Sequence, residues 1–169
     1  VAAFLNLSQD HLDYHDSMEQ YFRTKCRIFN GTNGSLPLVG VVNADCPWGR
    51  RLLEEVPPQV RLLTFGESLD ADFRARGIKL SQDGTEFLIE CSQGTFEIAS
   101  PLLGRYNVSN VLAAFAIALA LGQPVKDSAE IIGSFIGVDG RMEVVDEGQP
   151  YSVLVDYAHT PDALGNALQ

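Results

Sequence analysis

The feature that most constrains the fold is an unbroken apolar run at residues 36–42, which is followed by a helix signal and a second apolar run at residues 60–65. Runs without polar alternation are typical of strands that are buried on both faces of a parallel sheet. Pro47 can begin a helix that continues to Val56, because proline is tolerated in a first helical turn. These segments predict a βαβ unit and therefore a mostly parallel sheet.

Shorter signals place the other elements around this unit. Residues 1–5 predict a further strand, and residues 73–100 predict a small antiparallel meander of three strands, because turn residues interrupt that stretch twice. The first helix begins after Ser17, which forms a capping box with Gln20. Two helices are predicted next, at residues 107–121 and about 125–135. Two strands follow at residues 142–145 and 151–155, and a last helix begins at Thr160 and Pro161. We expect an α/β domain, with helices flanking a mostly parallel sheet.

The composition limits the classes of molecule that the chain is expected to bind. The 169 residues carry a formal net charge of −10, which argues against nucleic acid and acidic membranes, because these are bound mainly by Lys and Arg. Cys26, Cys46 and Cys91 have no metal-ligand spacing, so free thiols in the cytoplasm are expected. We predict no targeting or membrane-spanning segment, and a monomer. The chain begins with Val1 and stops within a helix signal, so we expect a domain that is cut at both ends.

Lys25 has the most unusual position. It falls on the apolar face of the first predicted helix, with Met18, Tyr21, Phe22 and Phe29. Burial favours the neutral amine, which is a nucleophile that can react with carbon dioxide to give a metal-binding carbamate. A lysine that extends past its apolar neighbours to solvent would produce the same pattern.

His11 lies in the stretch SQDHLDYH, residues 8–15, which is dense in possible metal ligands. A polar loop whose side chains bond to nearby backbone would have the same composition. Residues 5–29, LNLSQDHLDYHDSMEQYFRTKCRIF, resemble the pattern NLSxDHLDYHGxMExYxxAKxxLF of the tripeptide-synthetase Mur ligases. The resemblance implies that His11 binds a second magnesium ion and that Lys25 is the carbamylated lysine beside it. Asp16 and Thr24 depart from the pattern, but neither is a proposed ligand.

A second segment, residues 103–110, resembles the family pattern LxGxxNVxN. The resemblance implies that Asn107 and Asn110 lie near the adenine of ATP, and an amide suits adenine because it donates and accepts side by side. Asn107 could instead cap the helix, with Asn110 on the helix surface.

Two further segments agree with the same family. Residues 140–143 match GRME, which implies that Arg141 reaches the ATP phosphates and stabilises their charge. Residues 156–164 match the hinge motif DYAHTPDAL, which implies that Asp156 and His159 contact the nucleotide, Asp156 at a ribose hydroxyl. Arg141 could also be an ordinary surface residue, and Asp156 a turn or capping residue. The match divides the chain into a central ATP-binding domain, residues 1–155, and a hinge with the first helix beyond it, residues 156–169.

One motif is misleading. Residues 31–34, GTNG, copy the start of the family's phosphate loop GTNGKT, but Ser35 replaces the lysine and no threonine follows. The segment also follows a helix signal rather than a strand. We predict a turn there, and a phosphate loop that lies outside this chain.

The resemblance implies the central, P-loop NTPase-like part of an ATP- and magnesium-dependent ligase of peptidoglycan precursor synthesis. ATP would phosphorylate UDP-N-acetylmuramoyl-L-alanyl-D-glutamate, and the amine of a diamino acid, meso-diaminopimelate or L-lysine, would attack the acyl phosphate. The 169 residues alone are expected to be inactive. Two alternatives remain: a related amino-acid polymer ligase of the cyanophycin synthetase type, and a non-catalytic nucleotide-binding domain.

Overall fold

The computed structural model describes residues 1–8 and 15–168, in which the chain forms five helices and two sheets. The strands are β1 Ala2–Phe4, β2 Val39–Asn43, β3 Arg61–Gly66, β4 Phe73–Ser81, β5 Gly84–Cys91, β6 Gly94–Ser100, β7 Glu143–Val145 and β8 Val153–Val155. The helices are α1 Met18–Cys26, α2 Pro47–Glu55, α3 Arg105–Ala120, α4 Val125–Gly133 and α5 Pro161–Ala167. None of the helices in these ranges is long and apolar enough to cross a bilayer.

The larger sheet has six strands in the order of the sequence. β1, β2, β3 and the start of β4 pair in parallel, whereas β4, β5 and β6 pair antiparallel. The predicted βαβ unit is confirmed as β2, α2 and β3. The predicted antiparallel meander is confirmed as β4, β5 and β6, and it continues the same sheet, because β4 joins the edge of β3 through the pair Phe65 and Phe73.

Helices cover both faces of the parallel part. Val41 and Val42 are consecutive, point to opposite faces and are both fully buried, as expected for a central strand. Val41 belongs to the cluster that contains Phe115 of α3, and Val42 to the cluster that contains Phe22 of α1 and Leu52 of α2. The prediction of a strand buried on both faces is confirmed.

The observed strand boundaries differ most from the predicted ones at the start of β2. The apolar run at residues 36–42 predicted a strand from its first residue, but β2 begins at Val39, and Leu38 is 84% exposed. The pairing explains the difference, because β3 begins opposite Val39 and β1 begins opposite Gly40. The apolar residues of one segment do not indicate where the strands that pair with it begin.

The local predictions at turns and caps are confirmed. The Gly34 amide donates to the Gly31 carbonyl at 3.0 Å, so the GTNG segment is a turn. The Ser17 hydroxyl accepts from the Gln20 amide, and the Thr160 hydroxyl accepts from the Ala163 amide, each at 3.2 Å.

Alternating charges join α1 to α2. Arg51 pairs with Glu19 and Glu55, and Arg23 pairs with the same two carboxylates. The hydrogen bond from Arg51 is the main cause that holds the pKa of Glu19 down to about 2. The two helices are therefore joined by ion pairs at the surface, in addition to the contact of Phe22 with Trp48 beneath them.

Gly49→Ala is expected to lower the free energy of unfolding by about 1–3 kcal/mol, because it overpacks a rigid site. A Cβ at Gly49 would lie 2.1 Å from the backbone oxygen of Asn43, at the carboxyl end of β2. Gly165→Ala is the matched control within a helix, since nothing lies within 4 Å of its added Cβ. Urea unfolding of the full-length variants measures the difference. Equal stability of the two variants would contradict the packing at Gly49.

Candidate nucleotide-binding site

An open groove of about 590 Å³ lies at the first turns of α3. Its walls come from four parts of the chain: the residues after β1, the start of α3, the segment from Phe135 to Arg141, and the segment that joins β8 to α5. All five residues that the motifs associate with the nucleotide line it, namely Asn107, Asn110, Arg141, Asp156 and His159. The structure thus brings together residues that are far apart in sequence.

The position of the groove follows from the sheet. Leu5, Asn6 and Ser8 follow the carboxyl end of β1 and contribute to the wall. Open α/β sheets bind ligands outside the carboxyl ends of their strands. Gly104 precedes α3 with a φ of 85° and provides no side-chain cap, so the first amides of the helix are not satisfied by a capping side chain. Neither Asn6 nor Ser8 was predicted as a site residue, although both lie just after a predicted strand.

The two asparagines form a connected pair. Asn107 is buried, and its Nδ2 donates to the Leu103 carbonyl at 2.7 Å. Its Oδ1 accepts from Nδ2 of Asn110 at 2.9 Å. The alternative in which Asn107 caps the helix is wrong, because Gly104 holds the capping position and Asn107 lies inside α3. Asn110 is exposed at the groove, and Asn107 fixes the orientation of its amide.

Asp156 organises the turn beside the groove. One carboxylate oxygen accepts from the Met142 amide at 2.9 Å, and the other accepts from the Ala158 amide at 2.8 Å. This is the turn role that sequence analysis left open. Since each carboxylate oxygen can accept more than one hydrogen bond, the side chain can still accept from a ribose hydroxyl.

Arg141 lies in a tight turn next to Asp156. Its guanidinium is 5.0 Å from the centre of the Tyr157 ring, and among the described residues it has no ion pair. The centre of the Tyr157 ring also lies 4.8 Å from the centre of the His159 ring. A cation over an exposed ring gains only roughly 0.5–1 kcal/mol, so the charge of Arg141 remains available to an anion.

Tyr106 and Tyr157 were not selected from the sequence, although both line the groove. Burial is the first cause that raises the pKa of Tyr106, and the charge of Asp156 raises it further, whereas Arg141 acts in the opposite direction. Both tyrosines lie inside quoted motifs, next to Asn107 and Asp156. That adjacency was the only signal for them in the sequence.

Lys25 lies apart from the groove. The buried side of its helix consists of Phe22 and Cys26, and Lys25 itself is half-buried with Nζ 5.0 Å from the centre of the Tyr21 ring. The expectation that Lys25 sits within the apolar face is therefore corrected: it lies at the edge of that face, because the buried stripe is centred on Phe22 rather than Tyr21. His11 lies outside the described residues. Within residues 1–8 and 15–168, no three His, Cys, Asp or Glu side chains are grouped as a metal site.

The fold and the groove define the class of protein: an open α/β domain with polar residues gathered outside the carboxyl ends of its strands. Residues 1–118 match the family model of the Mur ligase middle domain. The chain belongs to the Mur ligase family, and this confirms the family that the motifs indicated.

Relatives of known activity extend the match over the whole chain. The UDP-N-acetylmuramoyl-L-alanyl-D-glutamate–2,6-diaminopimelate ligase of Thermosynechococcus vestitus is 44% identical over 171 residues, which cover 100% of this chain and 34% of the relative. The ligase of the same name from Bacillus licheniformis is 44% identical over 172 residues, which cover 99% and 35%. The chain therefore spans about a third of the length of these relatives.

Solved structures confirm the fold. MurF from Acinetobacter baumannii matches with a TM-score of 0.87 and 27% identity, covering 98% of this chain and 36% of that one. A UDP-N-acetylmuramoyl-L-alanyl-D-glutamate–2,6-diaminopimelate ligase matches with a TM-score of 0.80 and 34% identity, covering 99% and 34%. MurF from Thermotoga maritima in complex with ADP shares the fold at 22% identity, with a TM-score of 0.82 and coverage of 99% and 38%.

Proposed function

We propose that this chain is the nucleotide-handling part of a ligase that uses ATP to join 2,6-diaminopimelate to UDP-N-acetylmuramoyl-L-alanyl-D-glutamate. The observation that carries the proposal is the convergence of Asn107, Asn110, Arg141, Asp156 and His159 on one groove. Relatives that cover the chain from end to end at 44% identity have that activity in their names. L-lysine is the alternative diamino acid.

The side chains of the groove fit the three parts of a nucleotide. The Asn107 and Asn110 pair offers an oriented amide to a base, and Asp156 offers an acceptor to a ribose hydroxyl. Arg141 has no ion pair within residues 1–8 and 15–168, and it offers its guanidinium to phosphate oxygens, which it would hold most strongly as their charge shifts in transfer. ATP supplies the phosphoryl group that activates the substrate carboxylate. The role of this chain in that step is positioning and charge stabilisation.

Magnesium is part of the same proposal, with His11 and the carbamate of Lys25 as its ligands on this chain. The half-buried position of Lys25 supports carbamate formation, because the amine is shielded yet accessible to carbon dioxide. The bound metal would neutralise phosphate charge. The net charge of −10 makes such cations necessary wherever phosphate is held. We place the intact enzyme in the cytoplasm as a monomer with no nucleic-acid or membrane partner.

An assay of the full-length protein tests the function. ADP release from ATP and magnesium is expected only when UDP-N-acetylmuramoyl-L-alanyl-D-glutamate and a diamino acid are both present, with diaminopimelate far better than L-lysine. Preference for L-lysine would change the assigned amino acid. Turnover that does not require the sugar-nucleotide substrate, and that extends an amino-acid polymer instead, would support the cyanophycin synthetase alternative. Nucleotide binding that is independent of magnesium, without turnover, would support a binding domain.

A further inference from the structure

We propose that Tyr106 is a positioning residue for the nucleotide: on nucleotide binding, its buried hydroxyl donates a hydrogen bond to the Asp156 carboxylate and fixes that carboxylate in the groove. The inference rests on the proposed nucleotide site, because Asp156 is assigned to the nucleotide there. It adds a residue that acts through Asp156 and joins the start of α3 to the hinge segment.

The first observation is an unsatisfied donor. Among the described residues, the Tyr106 hydroxyl is the one buried side-chain polar atom that makes no hydrogen bond of acceptable distance and angle. Buried polar atoms are normally paired, and a donor without an acceptor is unfavourable. A small rearrangement that supplies an acceptor would therefore be favoured at this place.

The second observation is an acceptor nearby. Tyr106 and Asp156 line the same groove, and beyond the effect of burial the carboxylate is close enough for its charge and a marginal hydrogen-bonding contact to raise the pKa of the phenol, whereas the charge of Arg141 lowers it. Both carboxylate oxygens already accept backbone amides, from Met142 and Ala158, but each has a further lone pair. A hydrogen bond from a phenol to a carboxylate is charge-assisted and stronger than one between neutral groups.

The third observation decides which partner moves. The Tyr106 ring is packed against the bare backbone of Gly104, where an added Cβ would lie 3.0 Å from Cε1 of the ring. Tyr106 also belongs to the first turn of α3, whose next two residues, Asn107 and Val108, are buried, so the core sets its position. Asp156 follows β8, whose three residues are all exposed and which pairs only with β7 in the described part of the chain. We expect the hinge segment to approach α3, rather than Tyr106 to leave it.

A nucleotide is the natural cause of that approach. Its base would contact Asn107 and Asn110 on α3, and its ribose and phosphates would contact Asp156 and Arg141 on the hinge side. Binding thus draws the two walls of the groove together, and the Tyr106 bond forms as they meet. The energy of this bond then appears in the affinity for the nucleotide, and not in the stability of the protein without it.

Tyr106→Phe in the full-length protein tests the inference, because it removes only the hydroxyl. Without ATP the melting temperature should be unchanged or slightly higher, since an unsatisfied donor has been removed. The KM for ATP should rise roughly tenfold while kcat changes less than about twofold. Tyr151→Phe, an exposed tyrosine before β8, is the matched control and should change neither quantity.

A double-mutant comparison measures the coupling to Asp156. In an Asp156→Ala background, Tyr106→Phe should have less than about a twofold further effect on ATP affinity, because the acceptor is gone. An equally large effect in that background would overturn the inference. So would an unchanged KM, or a lower melting temperature without ATP. A parent protein that binds ATP while Tyr106→Phe binds it equally well would sink this inference alone, whereas a parent that binds no ATP would sink the proposed function.

Discussion

Lys25→Ala in the full-length protein is expected to lower kcat on the order of 10³-fold, because it removes the proposed carbamate and with it a charge that serves magnesium and the phosphates. A free ammonium beside a metal ion would repel it, whereas a carbamate reverses the charge and can act as a ligand. The position of Lys25 at the edge of the buried face is compatible with this chemistry. Steady-state kinetics with saturating ATP and magnesium measure the loss.

Two controls separate the carbamate from a structural role. Lys25→Arg should be as inactive as Lys25→Ala, because a guanidinium keeps its positive charge and forms no carbamate. Formate or acetate should restore part of the activity of Lys25→Ala, since a small carboxylate can occupy the position of the carbamate. Lys126→Ala, at an exposed lysine of α4, should leave turnover unchanged. Normal turnover of Lys25→Ala would support the alternative of a lysine that simply reaches solvent.

Arg141→Ala is expected to reduce kcat by about 10²- to 10³-fold and to change the KM for ATP much less, because a guanidinium stabilises phosphate charge most strongly in the transition state. The side chain is suited to this role, since it is exposed at the groove and its guanidinium lies over the Tyr157 ring. Initial rates at varied ATP concentration separate the two parameters.

The opposite pattern is expected for Asn107→Ala, because Asn107 orients the amide of Asn110 and its loss weakens nucleotide binding rather than turnover. Arg105→Ala is the matched arginine control. Arg105 pairs with Glu67 at the start of α3 and does not line the groove, so both parameters should stay within about twofold of the parent. An Arg141→Ala enzyme with unaltered turnover would refute the assignment of Arg141.

The local fold could be predicted from the sequence because its signals are local. The apolar run around Val41 and Val42 can only be buried on both sides, and Ser17 and Thr160 cap helices by contacts within three residues. The groove is different, because its walls come from four separate segments between Leu5 and Ala167 and no periodicity brings them together. The quoted motifs predicted these residues only through the resemblance to a family.

The residues that were placed wrongly or missed depend on distances between elements. Helical spacing predicted only approximately which side of α1 Lys25 lies on. The packing of Phe22 against Trp48 sets the centre of the buried face, and Lys25 lies at the edge of that face. The role of Asn107 depended on where α3 begins: the helix starts at Arg105, directly after Gly104 and two residues before the predicted start at residue 107. Tyr106 has no distinctive pattern in the sequence, because the burial of its hydroxyl depends on packing around the start of α3.

The groove at the start of α3 is proposed to hold the nucleotide. A crystal structure of the full-length protein with magnesium and a non-hydrolysable ATP analogue would show whether it does. We expect the base beside Asn107 and Asn110, the ribose beside Asp156 and the phosphates towards Arg141. A nucleotide bound elsewhere, with none of these four side chains in contact with it, would refute the proposed site.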